Sequence, residues 1–477
     1  MTASESTTAP VPASADSRAV DGAARGALIL PLVAAVLWLV AGCALVLVHS
    51  IQLHTPTFLS ACAWFTFGRI QAAFETALLY GWTANAGFAI VFWLLGRLGG
   101  ATPRGTGLMI VGSLFWNAAV GAALVGIFVG DLSGHALLQM PGYTLPILLA
   151  SCAAVAVAAV LAWADRRDKS AYSTQWYALA AVFTLPWLLS VATAMLYASP
   201  GTGVSQAVVA AWTGQGLINL WVGPVALAIA YYVLPKVTCI QIPCYNLAKY
   251  GFWILFVCGP WLGTRDLVGG PFPAWIPAVG VAASVVMLAH VAIVAINLKA
   301  LFTRRIKGSV ALRFTAVSVA SYLILGVAGL PCSLFPLEPW VQFTYVNEAR
   351  TLVLILGVFT PAAFAAVYFM MPRTMGRAWP SDGLIVWHFW LHTVGLLLVL
   401  VGFVGAGLDQ SSLFWDNETS LGVIVEGLKP WFLAASGGLL LQLGGAVFLA
   451  INLVLQVLPG LPKPPGRANS NSQTRPS

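Results

Sequence analysis

Charge is what this chain has least of. Of 477 residues, 23 are Lys or Arg and 15 are Asp or Glu, 8% together. A soluble domain carries roughly a quarter, which excludes a water-soluble globular core. Cysteine motifs are missing too. The seven cysteines contain no Cys-x-x-Cys for a metal and no Cys-x-x-Cys-His for c-type heme attachment. Cys239 and Cys244 share a short loop expected on the cytoplasmic side, where reducing conditions disfavour a disulfide. Histidine occurs only six times. No polar stretch is long enough to separate two domains, so a single bundle is expected.

What the chain has instead is apolar length. Hydrophobic residues make up 59% and the mean hydropathy is +0.87. A helix needs about 20 apolar residues to cross a bilayer. Twelve stretches meet that need, centred near Val40, Ala84, Val120, Ala153, Phe183, Val222, Phe256, Met287, Tyr322, Gly357, Leu397 and Leu443. The expected fold is an all-α integral membrane protein of twelve helices over residues 28–457. Residues 1–27 and 458–477 are polar and are expected to be disordered tails. The first of these lacks a basic start before a short apolar core, so it does not read as a cleaved signal peptide. Pairs such as Gly126/Gly130 and Gly444/Gly445 suit close helix packing in lipid. The longest outer loop is expected over Asp409–Lys429, with Asp416, Glu418 and Glu426.

The net charge of +8 is a matter of topology, not of nucleic acid. When the amino-terminal tail shares a side with the loops after even-numbered spans, only Arg69, Arg265, Arg350 and Lys429 lie on the other side. The remaining 19 of the 23 basic residues then lie together. Cytoplasmic loops carry the Lys/Arg excess, so both termini are expected in the cytoplasm of a bacterial-type inner membrane.

Three segments are specific. One reads Phe67-Gly68-Arg69, with Thr83-Ala84-Asn85-Ala86 about four turns later. A second reads Trp212-Thr213-Gly214-Gln215 and ends Tyr231-Tyr232-Val233-Leu234-Pro235-Lys236. The third is Gly383-Leu384-Ile385-Val386-Trp387-His388-Phe389-Trp390-Leu391. With Phe252-Trp253 and Pro372-Arg373 between them, they resemble subunit I of the cbb-type (C-family) heme–copper oxidases, to which nitric oxide reductase large subunits are close. The resemblance runs over residues 28–457 and implies the family's twelve-helix bundle.

It also implies two hemes and a copper held by histidines, since a neutral imidazole suits both iron and copper. The positions that match those ligands hold other residues. The first low-spin heme ligand falls on Phe74 and the first copper histidine on Gln215. The adjacent histidine pair falls on Arg265 and Asp266, the His-x-His pair on Arg350 and Leu352, and the active-site tyrosine on Gly259. Phe and Leu cannot ligate, and Arg is a permanent cation. The expectation is therefore a kept fold with its redox centre deleted, binding neither heme nor copper.

The six histidines do not restore a centre. His49 and His54 are expected at the outer surface, His135 in the next outer loop, and His290 alone in the eighth span. His388 and His392 are four apart on one helix face, a ligand-like spacing, but the resemblance makes His388 a non-ligand position, so a structural pair is expected. Ionisable residues inside a membrane cost about 2.5–3.5 kcal/mol each and usually pair. Arg265, Asp266, Glu348, Arg350 and Glu75 are therefore a candidate charge cluster. It would take the place of the metals, while Phe74, Leu352 or a lipid tail partly fills a void on the order of a few hundred Å³.

Three functions compete. The leading one is a non-redox scaffold or partner subunit of a respiratory membrane complex. Its partners would be membrane lipids and either membrane-anchored cytochrome c subunits or an oxidase core, with no nucleic acid. The others are a terminal oxidase or nitric oxide reductase with relocated ligands, and a transporter or channel that uses the emptied cavity for a small anion.

Overall fold

The computed structural model describes residues 15–167, 169, 171–303, 309–334, 337, 340–414 and 419–458. Among them regular structure is entirely helical, in twelve main segments with short helical turns between some of them. These are α1 Ala15–His54, α2 Phe67–Gly99, α3 Thr106–Val129, α4 Gly142–Ala164, α5 Ser173–Ala198, α6 Val204–Thr238, α7 Leu247–Cys258, α8 Trp275–Leu298, α9 Val310–Ala328, α10 Tyr345–Met375, α11 Asp382–Phe414 and α12 Leu421–Val457. Eleven are long and apolar enough to cross a membrane. The chain is a multi-pass membrane protein, and every expected span centre falls in a helix or, for Phe256, within α7.

The exception in length is α7, which stops after 12 residues. Pro260 has no N–H to continue the ladder, and residues Pro260–Leu267 wind on as a 3₁₀ helix. That tighter turn carries Arg265 and Asp266.

The first helix begins earlier than the expected boundary at residue 28. Ala24, Ala27 and Leu28 are buried, and the Asp21 carboxylate accepts hydrogen bonds from Trp93 Nε1 at 2.9 Å and Arg97 Nη1 at 2.7 Å. These bonds anchor a helical turn that reads as polar tail by composition. The outer loop expected over 409–429 is also shorter. Asp409 lies within α11, which runs on to Phe414, while Glu426 and Lys429 lie in α12. Asp416 and Glu418, and the tail beyond Leu458, lie outside the described residues.

Three helices are buried almost throughout: α2, α6 and α10. Each has a π-helical stretch near its middle, at Ala77–Thr83, Leu217–Val222 and Val353–Phe359. Extra residues per turn of this kind re-aim side chains, often at functional sites. The three helices interlock through large rings. Trp82 Nε1 donates to Thr360 Oγ1 at 2.8 Å, and Phe88 lies 5.4 Å from Trp221, centroid to centroid. The remaining helices wrap this trio, with α12 packed on α1 and α11. A helix apolar all round belongs inside, and these three also carry most of the sequence positions singled out above.

Candidate functional site

Arg265 is 5% exposed. Its Nη1 donates to Ser284 Oγ at 3.0 Å and to the Gly329 carbonyl at 3.2 Å, and its Nε donates to Asp266 Oδ1 at 3.4 Å. The same Oδ1 lies 3.7 Å from Nη1 of Arg350, which also donates to Asn347 Oδ1 at 2.8 Å. One carboxylate thus bridges two guanidinium groups, one from the turn after α7 and one from α10. A buried cation is costly unless paired and hydrogen-bonded, and Arg265 meets both conditions.

The other two expected members of the cluster point elsewhere. Glu348 Oε1 lies 2.8 Å from Nε2 of His49, and Glu75 accepts from Gln139 Nε2 at 3.1 Å. Glu348 and Arg350 are two apart on a helix and cannot share a face. Arg350 therefore meets Asp266 while Glu348 meets α1. His49 is likewise not at the outer surface. It is fully buried, with its ring 4.6 Å from Phe67 and 5.0 Å from Phe74.

Beside the arginines is a cavity of about 80 Å³ whose walls include Gln215, Asn219, Met287 and Tyr322. It is smaller than the few hundred Å³ expected. Phe74 and Leu352 are both buried in the core, and close-packed side chains leave few voids. Gln215 accepts from Asn219 Nδ2 at 3.1 Å through its side-chain oxygen, and the same Nδ2 donates to the Gly259 carbonyl at 3.2 Å. Gly259 has no room for a side chain: a Cβ there would sit 2.8 Å from the Cβ of Asn219.

His290 Nδ1 is 2.7 Å from the Gly251 carbonyl, and Nε2 is 2.7 Å from Tyr322 Oη. The carbonyl only accepts, so Nδ1 carries the proton and Nε2 accepts from the tyrosine. His290 thus has partners on two helices and reaches the cavity wall through Tyr322. Asn219, Ser284 and Tyr322 were not among the sequence candidates, because such residues usually pack quietly in spans. Only the polar spacing Gln215–Asn219, four apart on α6, hinted at a shared face.

His388 and His392 are buried, with ring centroids 6.3 Å apart. Tyr368 Oη bonds His388 Nδ1 at 2.7 Å, and Phe364 packs edge-on against both rings. Neither Nε2 has a hydrogen-bond partner among the described residues. His54 Nδ1 bonds Thr55 Oγ1 at 2.9 Å. His135 lies in the loop after α3, near Gln206, and partial burial lowers its pKa from the ordinary histidine value.

Among the described residues no three His, Cys, Asp or Glu side chains gather in a way that could hold a metal ion. At the bridged site the groups on offer are two guanidinium ions, one carboxylate, the amides of Gln215 and Asn219, the hydroxyls of Ser284 and Tyr322 and the lone thioether of Met287, with no imidazole. Guanidinium groups carry no lone pair for a metal and repel it, so this donor set does not fit a heme iron or a copper ion.

A family model described as Cytochrome C and Quinol oxidase polypeptide I matches residues 27–441. A Cytochrome c oxidase subunit 1 homolog of Azorhizobium caulinodans is 25% identical, over 89% of this chain and 80% of the relative. A Cbb3-type cytochrome c oxidase subunit CcoN1 of Stutzerimonas stutzeri is 26% identical, over 88% of this chain and 91% of the relative. Among solved structures, a heme-copper terminal oxidase dimer determined by cryo-electron microscopy has a TM-score of 0.61 at 14% identity. It covers 93% of this chain and 85% of that one.

Proposed function

Because the chain belongs to the cytochrome c and quinol oxidase polypeptide I family, we propose that it is a catalytically degenerate, cbb-type subunit I homologue serving a respiratory membrane complex as a non-redox scaffold or partner subunit. The observation that carries this reading is the chemistry at the bridged site. Where the resemblance calls for an imidazole pair, Arg265 and Asp266 are joined to Arg350. In this reading Phe74, Gln215, Arg265, Asp266, Arg350 and Leu352 stand at former ligand positions, and Gly259 stands at the tyrosine's. The ion bridge then ties the turn after α7 to α10, a task the metals perform in an intact centre. A bundle held this way keeps the outer surfaces on which membrane-anchored cytochrome c subunits or an oxidase core would dock. Both termini lie in the cytoplasm, with the bulk of the basic loops.

An oxidase or nitric oxide reductase with relocated ligands would need a new imidazole set. His388 and His392 supply two rings wedged among Phe314 and Phe364, and neither adjoins the cavity beside the arginines.

A second reading rests on that cavity. Two guanidinium groups face one carboxylate there, so the site keeps a surplus positive charge beside about 80 Å³ of space. Such a site suits a small anion, and the protein would then bind or pass one.

The deciding experiment is a pyridine haemochrome assay with copper analysis on the full-length protein purified from membranes. The scaffold reading expects neither group in stoichiometric amount, and about one heme per chain would overturn it. Anion flux into vesicles holding the heme-free protein would favour the second reading.

A further inference from the structure

The cavity beside the arginines keeps hydrogen-bond donors that an occupant can reach. Arg265 spends Nε on Asp266 and Nη1 on Ser284 and the Gly329 carbonyl, while Arg350 spends Nη1 on Asn347 and Asp266. Gln215 is held through its side-chain oxygen. Asn219 Nδ2 donates to the carbonyls of Gln215 at 3.0 Å and Gly259 at 3.2 Å, which can only accept. The same NH₂ therefore donates to Gln215 Oε1, which leaves the Gln215 NH₂ as the unpaired end. Among the described residues, Nη2 of both arginines and Nε2 of Gln215 have no hydrogen-bond partner. None of the three is sealed in the core: each keeps accessible surface, and all three residues line the cavity. Gln215 and Asn219 are only half-buried on a helix that is buried along most of its length.

Charge narrows the occupant. Two guanidinium groups and the Asp266 carboxylate leave one positive charge, because Glu348 and Glu75 are turned to His49 and Gln139. A monoanion cancels that charge, whereas a dianion such as hydrogen phosphate or a dicarboxylate would leave the site negative. Size narrows it further. One water molecule needs about 10–15 Å³ of such space, so the cavity of about 80 Å³ holds several non-hydrogen atoms, more than a halide ion fills. The lining is also mixed. Arg265, Arg350 and Gln215 offer donors, while Met287, Val291 and Leu325 offer apolar surface. An inorganic oxyanion such as nitrate would leave some of its oxygens against that surface without a donor, which is costly. An anion with one carboxylate and a short alkyl end meets both kinds of wall.

We propose that this cavity is a binding site for a short-chain monocarboxylate of about two to four carbons, the length its volume admits. The carboxylate takes the unpaired donors of Arg265, Arg350 and Gln215, and the alkyl end lies against Met287, Val291 and Leu325. The proposal rests on the second reading above, in which this site takes a small anion, and names the class of that anion.

The test is equilibrium dialysis of radiolabelled propionate against the full-length protein in mild detergent, with unlabelled competitors. One saturable site per chain is expected. Acetate, propionate and butyrate should compete with affinity rising about fourfold per added methylene, the value of burying one CH₂. Hexanoate is too long for the cavity, succinate carries one charge too many and nitrate has no apolar end, so all three should compete more weakly than butyrate. Gln215→Leu keeps the bulk and removes the unpaired donor. It should weaken propionate about tenfold, the scale of one hydrogen bond to a charged group. Leu325→Ala lengthens the apolar end and should move the preferred chain from butyrate towards hexanoate. Nitrate binding as tightly as propionate, and weakened by Gln215→Leu, would overturn the monocarboxylate assignment and leave the small-anion reading standing. Saturable binding of neither would overturn both. Unchanged propionate binding in Gln215→Leu, or no dependence on chain length, would also overturn the proposal. If a variant does not fold, the chain-length series and the nitrate contrast on the unaltered protein decide alone.

Discussion

Nε2 of His49 lies 2.8 Å from Oε1 of Glu348, joining α1 to α10 across 299 positions of sequence. The imidazole is fully buried, and its Nδ1 has no partner among the described residues, so the bond at Nε2 is the polar contact that the ring depends on. Glu348→Ala should destabilise the protein by about 1–3 kcal/mol, the cost of stranding a buried polar atom. Glu348→Gln, whose amide oxygen can still accept from the ring, should recover most of that loss. Melting followed by tryptophan fluorescence in detergent tests it. Equal midpoints for Glu348→Ala and the unaltered protein would show that the contact carries no stability.

Asp266 bridges two arginines while remaining 38% exposed at its side chain. Its removal should cost less than the roughly 3–5 kcal/mol of a fully buried pair and more than the 0–1 kcal/mol of a surface pair. A value on the order of 2 kcal/mol is expected. Glu426, 69% exposed and paired with Lys429 within α12, is the control. Asp266→Ala should melt clearly below Glu426→Ala, and matching midpoints would mean that the bridge is not structural.

Gly395 on α11 and Gly438 on α12 face each other. A Cβ on either would lie 2.6 Å from the other's carbonyl oxygen. This is a tighter approach than at Gly444/Gly445, where the nearest neighbours are 3.6 and 3.2 Å away. Gly438→Ala should therefore push the two helices apart and destabilise. Its neighbour Gly437 faces open space, so Gly437→Ala should be neutral or stabilise by up to about 1 kcal/mol through helix propensity. The opposite order in a melting series would refute the close packing.

Orientation is open to labelling. Cys239 is exposed in the loop after α6, and Ala61 is exposed in the loop after α1. With basic loops in the cytoplasm, an impermeant maleimide on intact cells should modify Ala61→Cys and leave Cys239 untouched until the membrane is opened. Modification of Cys239 in intact cells would reverse the assignment.

Membrane residence, the number and order of the helical segments and the likeness to the oxidase family were all legible in the sequence. Apolar runs about 20 residues long have no stable home in water, and short motifs such as Phe67-Gly68-Arg69 keep their spacing whatever surrounds them. The candidacy of Arg265, Asp266 and Arg350 came from that likeness together with the cost of charge among apolar residues. Which charges meet was decided by the tertiary structure alone. A polar side chain within a span carries no address for its partner, because helix packing sets the partner from distant parts of the chain. Hence Arg350 meets Asp266 while Glu348, two residues away, turns to His49. Polar composition likewise placed the start of α1 in a tail, until the Asp21–Arg97 bond drew it into the bundle.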